Sequence, residues 1–345
     1  MIFQQLFDQT SSTFTYVLAS RVGGEALIID PVFEHVDLYV GLLERLRLNL
    51  VKAVDTHIHA DHITALGALR DITKCITVMG ERSSADVVAM RARENETIDI
   101  EGLSLQTIYT PGHTDDSYTF SLNDRIFTGD TLLIRGTGRT DFQHGDAHAA
   151  YDSLFNKLLK LDDNILVYPG HDYNGNTVST IGSERAENPR LQVSSANEYA
   201  EIMNSLKLPN PKMMDTAVPA NRTIGKNQQR LIEAGCAATT EEILRESGGN
   251  CLFVDLREEG ERNRDGHIPN DLHVSYQQLE NALATDCRLS RELKNEETQV
   301  VLYCSFGERS ALAVERAMEI GNKNVTHMIG GMGAWMRVGG SIAQH

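Results

Sequence analysis

The sequence predicts an α/β protein of two domains, and three observations carry that prediction. A chain of 345 residues exceeds one average domain. Short apolar, β-branched runs alternate with segments of helical periodicity along most of its length. A polar stretch around residues 207–230, with prolines at 209, 211 and 219, interrupts the alternation, which then resumes as a second unit. The apolar fraction of 41% describes ordinary globular material.

Charge and cysteine usage narrow the function classes. A formal net charge of -16 argues against nucleic acid or an anionic membrane surface as the partner, and plain solubility accounts for it. The five cysteines are odd in number and form no CxxC pair, which fits a reducing compartment better than a disulfide framework. The first residues lack a cationic region with an apolar core behind it, and no window approaches membrane-spanning length. The expected location is the cytoplasm.

Residues 14–18 and 26–29 read as strands around a Gly23-Gly24 turn, the second ended by Asp30-Pro31. A helix is expected over 36–48, with Tyr39, Leu42, Leu43 and Leu46 as its apolar stripe. Leu50–Val54 reads as a buried strand, and the run after Ile63 has helical spacing. Between them lies Thr56-His57-Ile58-His59-Ala60-Asp61-His62, a loop where open α/β folds place their chemistry. Imidazole and carboxylate suit Zn, Fe or Mn. A lone histidine is usually a satisfied core or surface residue. Packed this tightly, such groups would each need a hydrogen-bond partner in a core, so a metal site is the better reading.

A strand over 76–79, a polar helix and a β-rich stretch over 98–109 should lead to the turn Thr110-Pro111-Gly112-His113-Thr114. Strands over 118–122 and 125–127 lead to Gly129-Asp130. An amphipathic helix over 151–161 and a strand over 165–168 lead to Pro169-Gly170-His171-Asp172-Tyr173. Successive strand ends therefore deliver the first cluster, then His113, Asp130 and His171.

This order, HxHxDH followed by His, Asp and His, resembles the metallo-β-lactamase superfamily over roughly the first 180 residues. The resemblance implies a four-layer αβ/βα sandwich with the metal at one edge of the sheets. Residues 133–143 (LIRGTGRTDFQ), 168–173 (YPGHDY), 188–191 (NPRL) and 217–221 (AVPAN) are similar to the persulfide dioxygenases. That resemblance implies oxidation of glutathione persulfide by O2 to sulfite and glutathione at a non-haem Fe(II), one per chain, held by His57, His113 and Asp130. Two imidazoles and one carboxylate make the facial triad of such oxygenases. His59, Asp61, His62 and His171 would then be outer-shell groups or the ligands of a potential second metal. A two-metal thioester hydrolase of the glyoxalase II kind is the alternative. The glycines of 136–138 are not a phosphate loop, because GxxxxGK[ST] is absent. Arg135 and Arg139 are expected to meet an anionic substrate or an internal acid. The thiol portion of the substrate is expected along Arg139 and Tyr173, with bracing of Arg139 by Asp141 as the competing reading.

The dioxygenase-like domain is expected over 1–222, a linker over 223–236 and the second domain over 237–345. Thr239 is the candidate N-cap of a helix. A strand over 251–256 carries Asp255, a turn follows at 266–269, and a strand over 300–303 runs into Cys304-Ser305-Phe306-Gly307-Glu308-Arg309-Ser310 before a helix over 311–320. Residues 330–335 (GGMGAW) close the unit. Backbone N–H groups and Arg309 would favour a Cys304 thiolate. Cys75, Cys236, Cys251 and Cys287 read as inert packing. The Asp255-Leu256-Arg257, Gly266-His267-Ile268-Pro269 and Cys304 segments resemble a rhodanese-like α/β domain over roughly 237–340. The related cysteine phosphatases have a Cys-x5-Arg loop, one residue longer. The resemblance implies sulfurtransfer between thiosulfate and glutathione, with Cys304 as nucleophile, Arg309 stabilising its charge, and Ser305, Phe306, Gly307 and Glu308 holding the substrate. A non-catalytic sensing module is the competing reading. Asp255 either fixes the loop or caps its strand, and His267 is expected to be structural. Partners beyond these small molecules are not expected, apart from a homo-oligomer.

Overall fold

The computed structural model describes residues 1–246, 251–295 and 297–344; residues 247–250, 296 and 345 of the expected second domain lie outside the described residues. The chain divides into two compact units, Met1–Asp86 with Arg91–Ile224, and Gly225–His345 with Val87–Met90.

The first unit holds two six-stranded sheets. One runs Ile2–Asp8, Thr13–Ala19, Glu25–Ile29, Asn49–Val54, Ile76–Gly80, Met90–Ala92 in spatial order. The other runs Ser179–Thr180, Leu166–Tyr168, Arg125–Phe127, Tyr118–Ser121, Leu103–Tyr109, Thr97–Ile100. Aromatic rings join the sheets face to face: Tyr16 lies 5.0 Å from Phe127 and Phe3 lies 4.8 Å from Tyr168. The first strand, absent from the sequence reading, pairs antiparallel with the second from Ile2 to Asp8. The helix Val36–Leu46 buries Tyr39, Leu42 and Leu43, as its stripe dictates. Strand ends of both sheets meet at one edge, where Phe14 N–H donates to Gly170 O at 2.7 Å and Tyr16 Oη to Pro169 O at 2.6 Å.

Two expected helices differ. Between Gly80 and Thr97 the described residues form loops and the short strand Met90–Ala92, and no polar helix. The Arg91 guanidinium donates to Ser83 O and Ala85 O, which gives those carbonyls a partner outside any helical ladder. The helix expected over 151–161 begins earlier, at Ala147–Asp152. There the Asp146 carboxylate accepts from His148 N–H and Ala149 N–H. It continues through a π turn at Ser153–Lys157 and a 3-10 turn at Leu158–Lys160.

The second unit is a five-stranded sheet, parallel throughout, in the order Ala237–Ala238, Val325–Met328, Gln299–Tyr303, Cys251–Asp255, Leu272–His273. Thr239 caps Thr240–Glu246 reciprocally: its hydroxyl accepts from Glu242 N–H, and the Glu242 carboxylate accepts from Thr239 N–H. Of the residues expected as linker, Gln229–Glu233 is a short helix, and Leu231 and Cys236 are buried in the apolar cluster of this unit. The polar composition of 223–236 concealed two core positions. No helix among the described residues is long and apolar enough to cross a membrane.

Candidate metal centre and sulfur-transfer loop

His57, His113 and Asp130 converge at the sheet edge, each offering a ligand atom within 4.8 Å of the others. What surrounds them fixes which atoms face inward. Asp30 accepts from Thr56 N–H at 2.7 Å and from Thr56 Oγ1 at 2.9 Å, so the hydroxyl oxygen is left to accept from His57 Nδ1 at 3.0 Å. His113 Nδ1 donates to Arg139 O at 2.8 Å. Both imidazoles are thereby held with Nδ1 outward and the Nε2 lone pair toward the centre, the tautomer a metal requires. Asp130 Oδ1 contacts His171 Nδ1 at 2.6 Å, leaving Oδ2 on the His113 side. Burial, then His59 and His113, push His57 well below its ordinary value, which keeps it neutral. Burial works to raise the Asp130 carboxyl, but His171, His113 and His57 hold it well below the usual range. Two imidazoles that present Nε2 beside an ionised carboxylate fit a divalent cation.

The remaining histidines are held differently. His171 has both ring nitrogens on carboxylates, Asp130 at 2.6 Å and Asp61 at 3.0 Å. Asp61 also contacts His62 Nδ1 at 2.8 Å, and His59 Nε2 lies 3.2 Å from Asp30. His59 Nδ1 and His62 Nε2 are buried with no hydrogen-bond partner among the described residues.

Backbone approach at this edge requires glycine. A Cβ on Gly138 would stand 2.1 Å from Asp130 O and 2.9 Å from the His113 ring. The metal loop is clamped from the polar stretch: Asn221, at the end of Met214–Arg222, donates to His59 O and His62 O, both at 2.9 Å, and accepts from Thr64 N–H at 2.9 Å. Sequence reasoning gave Asn221 no role, because nothing local to it reveals a partner 159 or 162 positions away.

A cavity of about 280 Å³ opens over the centre, bordered by His57, His113, Asp130, Arg139, Tyr173 and Arg190. Tyr173 stacks on His171, the rings 6.0 Å apart and 7° from parallel. Of the two readings of Arg139, its contacts are those of the brace on Asp141. Its guanidinium forks onto Asp141 at 2.6 and 2.7 Å and donates to Pro209 O, so its donors are already engaged. Arg135 is likewise tied to Glu184 and Glu187. Arg190, quoted in the NPRL motif without a role, is the contrast. Its guanidinium donates to Thr137 O and has no carboxylate partner among the described residues, and burial lowers its pKa.

In the second unit Cys304 follows Gln299–Tyr303, at the carboxyl end of a central parallel strand, where α/β sheets place their sites. The thiol is fully buried and accepts from Gly307 N–H at 3.2 Å. Gly307 adopts φ +98°, and a Cβ there would meet Gly330 N at 3.0 Å. Arg309 does not stand free beside the sulfur. Its guanidinium is fully buried and bidentate on Glu261, at 2.6 and 2.7 Å, with a further bond to Ser305 Oγ at 3.1 Å. The Ser305 hydroxyl also donates to Glu261, at 2.5 Å, and Glu308 accepts from Lys226 N–H at 3.3 Å. The side chains of Ser305, Glu308 and Arg309 thus build the loop instead of lining an open substrate site, while Gly307 reaches the sulfur. Phe306 is half-buried. The Asp255 carboxylate receives Arg257 and Arg262 and, among the described residues, makes no hydrogen bond to the Cys304 loop, and His267 pairs with Asp271 at 2.9 Å.

Residues 239–337 match the rhodanese-like domain and residues 80–171 the metallo-beta-lactamase superfamily. Over 228 residues the chain is 45% identical to the mitochondrial persulfide dioxygenase ETHE1 of Mus musculus, covering 65% of this chain and 89% of that protein. The chain belongs to the persulfide dioxygenase family. A crystal structure of ETHE1 from Myxococcus xanthus agrees, at 49% identity and a TM-score of 0.64, covering 66% of this chain and all (100%) of that one. A metallo-beta-lactamase from Staphylococcus aureus, 19% identical with a TM-score of 0.61, shares the fold over 95% of this chain. This persulfide dioxygenase relative therefore joins a metallo-β-lactamase fold bearing a His/Asp metal site to a C-terminal rhodanese-like domain, as the motifs implied.

Proposed function

We propose that the first unit oxidises a glutathione-type persulfide with O2 to sulfite and thiol, and that the second exchanges sulfane sulfur between thiosulfate and the same thiol. The observation that carries the first half is the pair of Nδ1 anchors, Thr56 Oγ1 on His57 and Arg139 O on His113, which aim two Nε2 atoms at Asp130. His57, His113 and Asp130 would hold one Fe(II). Bound iron supplies the redox chemistry by which O2 oxidises the sulfane sulfur, overall GSSH + O2 + H2O → GSH + H2SO3. The protein's own share is binding and orientation. Arg190 offers its uncompensated guanidinium to a substrate carboxylate, and Tyr173 borders the cavity mouth beside His171.

In the second half the Cys304 thiolate attacks the outer sulfur of thiosulfate. The S–S bond breaks, sulfite leaves with its electron pair, and a cysteine persulfide remains. Gly307 N–H stabilises the anion on sulfur. A thiol then takes the sulfur, forming the persulfide that the first unit consumes. Cys304→Ser should abolish O2 uptake driven by thiosulfate plus glutathione and leave uptake from preformed glutathione persulfide intact. If it cripples oxidation of added persulfide with fold and metal content unchanged, the two-module reading is wrong.

The buried, unpartnered His59 Nδ1 and His62 Nε2 favour a second reading, a two-metal hydrolase. Two equivalents of zinc in active protein, with thioester hydrolysis that persists without oxygen, would establish it.

A further inference from the structure

The chemistry above leaves a fully buried histidine unused. His327 lies on Val325–Met328 between two polar side chains, its Nδ1 3.0 Å from Ser310 Oγ and its Nε2 3.0 Å from Gln228 Oε1. Ser310 Oγ is in turn 3.7 Å from Cys304 Sγ. An amide oxygen only accepts, so with this orientation Nε2 carries the hydrogen and Nδ1 is the acceptor. The Ser310 hydroxyl then donates to Nδ1 and its oxygen can receive the thiol hydrogen; the other acceptor within its reach is Gly307 O, at 3.2 Å.

Nothing charged accounts for this arrangement. The register partners of His327 on its two neighbouring strands, Ala237 and Leu302, are apolar. The helix Glu308–Glu319 presents Ser310, the loop presents the Gly307 backbone, and the segment before Gln229–Glu233 presents Gln228. Burial alone acts on the imidazole and lowers it to about 4, so it is neutral near neutral pH with a lone pair on Nδ1, and it gains a proton only as the negative charge on Cys304 forms to compensate it. Arg309, the cation expected to favour the thiolate, is already compensated by Glu261. The thiol proton needs another destination.

We propose that Ser310 and His327 relay the Cys304 proton, so that the thiolate forms opposite a buried imidazolium held by Gln228. The S–H bond breaks and its proton passes to Ser310 Oγ, while the hydroxyl proton passes to His327 Nδ1. No proton leaves the protein, and the pair carries no net charge. Ser310 then donates to the sulfur anion and receives from the imidazolium, and this arrangement serves the thiolate and the later persulfide alike. His327 is a positioning residue, acting on sulfur only through Ser310.

The relay rests on the reading of Cys304 as the sulfur carrier, so its test is read on the thiol and not on turnover. The full chain is alkylated with iodoacetamide across a pH series, and the Cys304 peptide is followed by mass spectrometry. His327→Asn, which cannot take up a proton, should slow alkylation of Cys304 about tenfold near neutral pH and move the profile up by about one pH unit. Ser310→Ala should do the same. Gln228→Glu should move the profile the opposite way, because a carboxylate facing Nε2 stabilises the imidazolium. A purely structural role gives no such reversal of sign. A wild-type profile in His327→Asn, or displacement of Gln228→Glu in the same direction as His327→Asn, would overturn the relay. Should His327→Asn fail to fold, the half-exposed Gln228 position decides alone. Alkylation profiles that shift as stated in a chain lacking sulfurtransfer would uphold the relay and count against the carrier reading.

Discussion

Replacing Glu261 with glutamine should destabilise the rhodanese-like unit by about 3 kcal/mol. The carboxylate is 4% exposed and holds Arg309 through two bonds at 2.6 and 2.7 Å, with the Ser305 hydroxyl at 2.5 Å. Burial opposes its charge, yet Arg309 and then Ser305 bring it from the ordinary 4.5 down to about 2. One pKa unit is worth about 1.4 kcal/mol, so the charged form contributes about 3 kcal/mol. An independent route agrees: removing one partner of a buried pair typically costs about 3–5 kcal/mol, because the other charge is left uncompensated. The folded value is depressed, so this stability is fully present above the unfolded carboxylate range. It is lost as pH falls toward about 2. The glutamine variant should lack that acid-side slope. Trp335, the only tryptophan in the chain, is buried in this unit, so denaturant unfolding followed by its emission reports the unit selectively. Adding Arg309→Met should recover much of the loss, since the stranded charge is then gone. A loss below about 1 kcal/mol, or a double variant less stable than the single, would refute the account of Arg309 as a brace paired with Glu261.

Four further outcomes follow from the metal-bearing unit. His113→Ala should remove a ligand and stop O2 uptake from either sulfur source while sulfurtransfer continues; metal analysis and paired assays check this. Gly138→Ala should lower metal content with the second unit unaffected, because the added Cβ would overlap Asp130 O and the His113 ring; the Trp335 unfolding curve is the control. Arg190→Gln should raise KM for glutathione persulfide about tenfold with kcat little changed, the loss expected for one charge-assisted hydrogen bond. Arg139→Ala should instead lower stability, since its fork is held by Asp141.

Local pattern was enough for much of this protein. HxHxDH and the later His, Asp and His at strand ends announced a metal centre, because ligands clustered in sequence or set beside strand ends need no distant information to be noticed. The Cys304 loop was equally legible, as was the Thr239 cap, whose partner Glu242 lies three residues away. The polar helix expected before Thr97 failed because Arg91 gives the Ser83 and Ala85 carbonyls another partner. Charge pairing was legible only where the partners are near neighbours: a brace between Arg139 and Asp141, two residues apart, was one of two readings of that arginine. An arginine otherwise looks the same in sequence whether a carboxylate compensates it or not, and only the folded chain sets Arg309 on Glu261, and Arg190 on the Thr137 carbonyl with no carboxylate partner among the described residues. Asn221 reaching back to the metal loop, and His327 standing between Gln228 and Ser310, belong to the same class. The sequence by itself determined which groups could do chemistry. Tertiary structure decided which of them remain available, because a hydrogen bond or ion pair between residues distant in the chain exists only once the sheets and loops that carry them have packed.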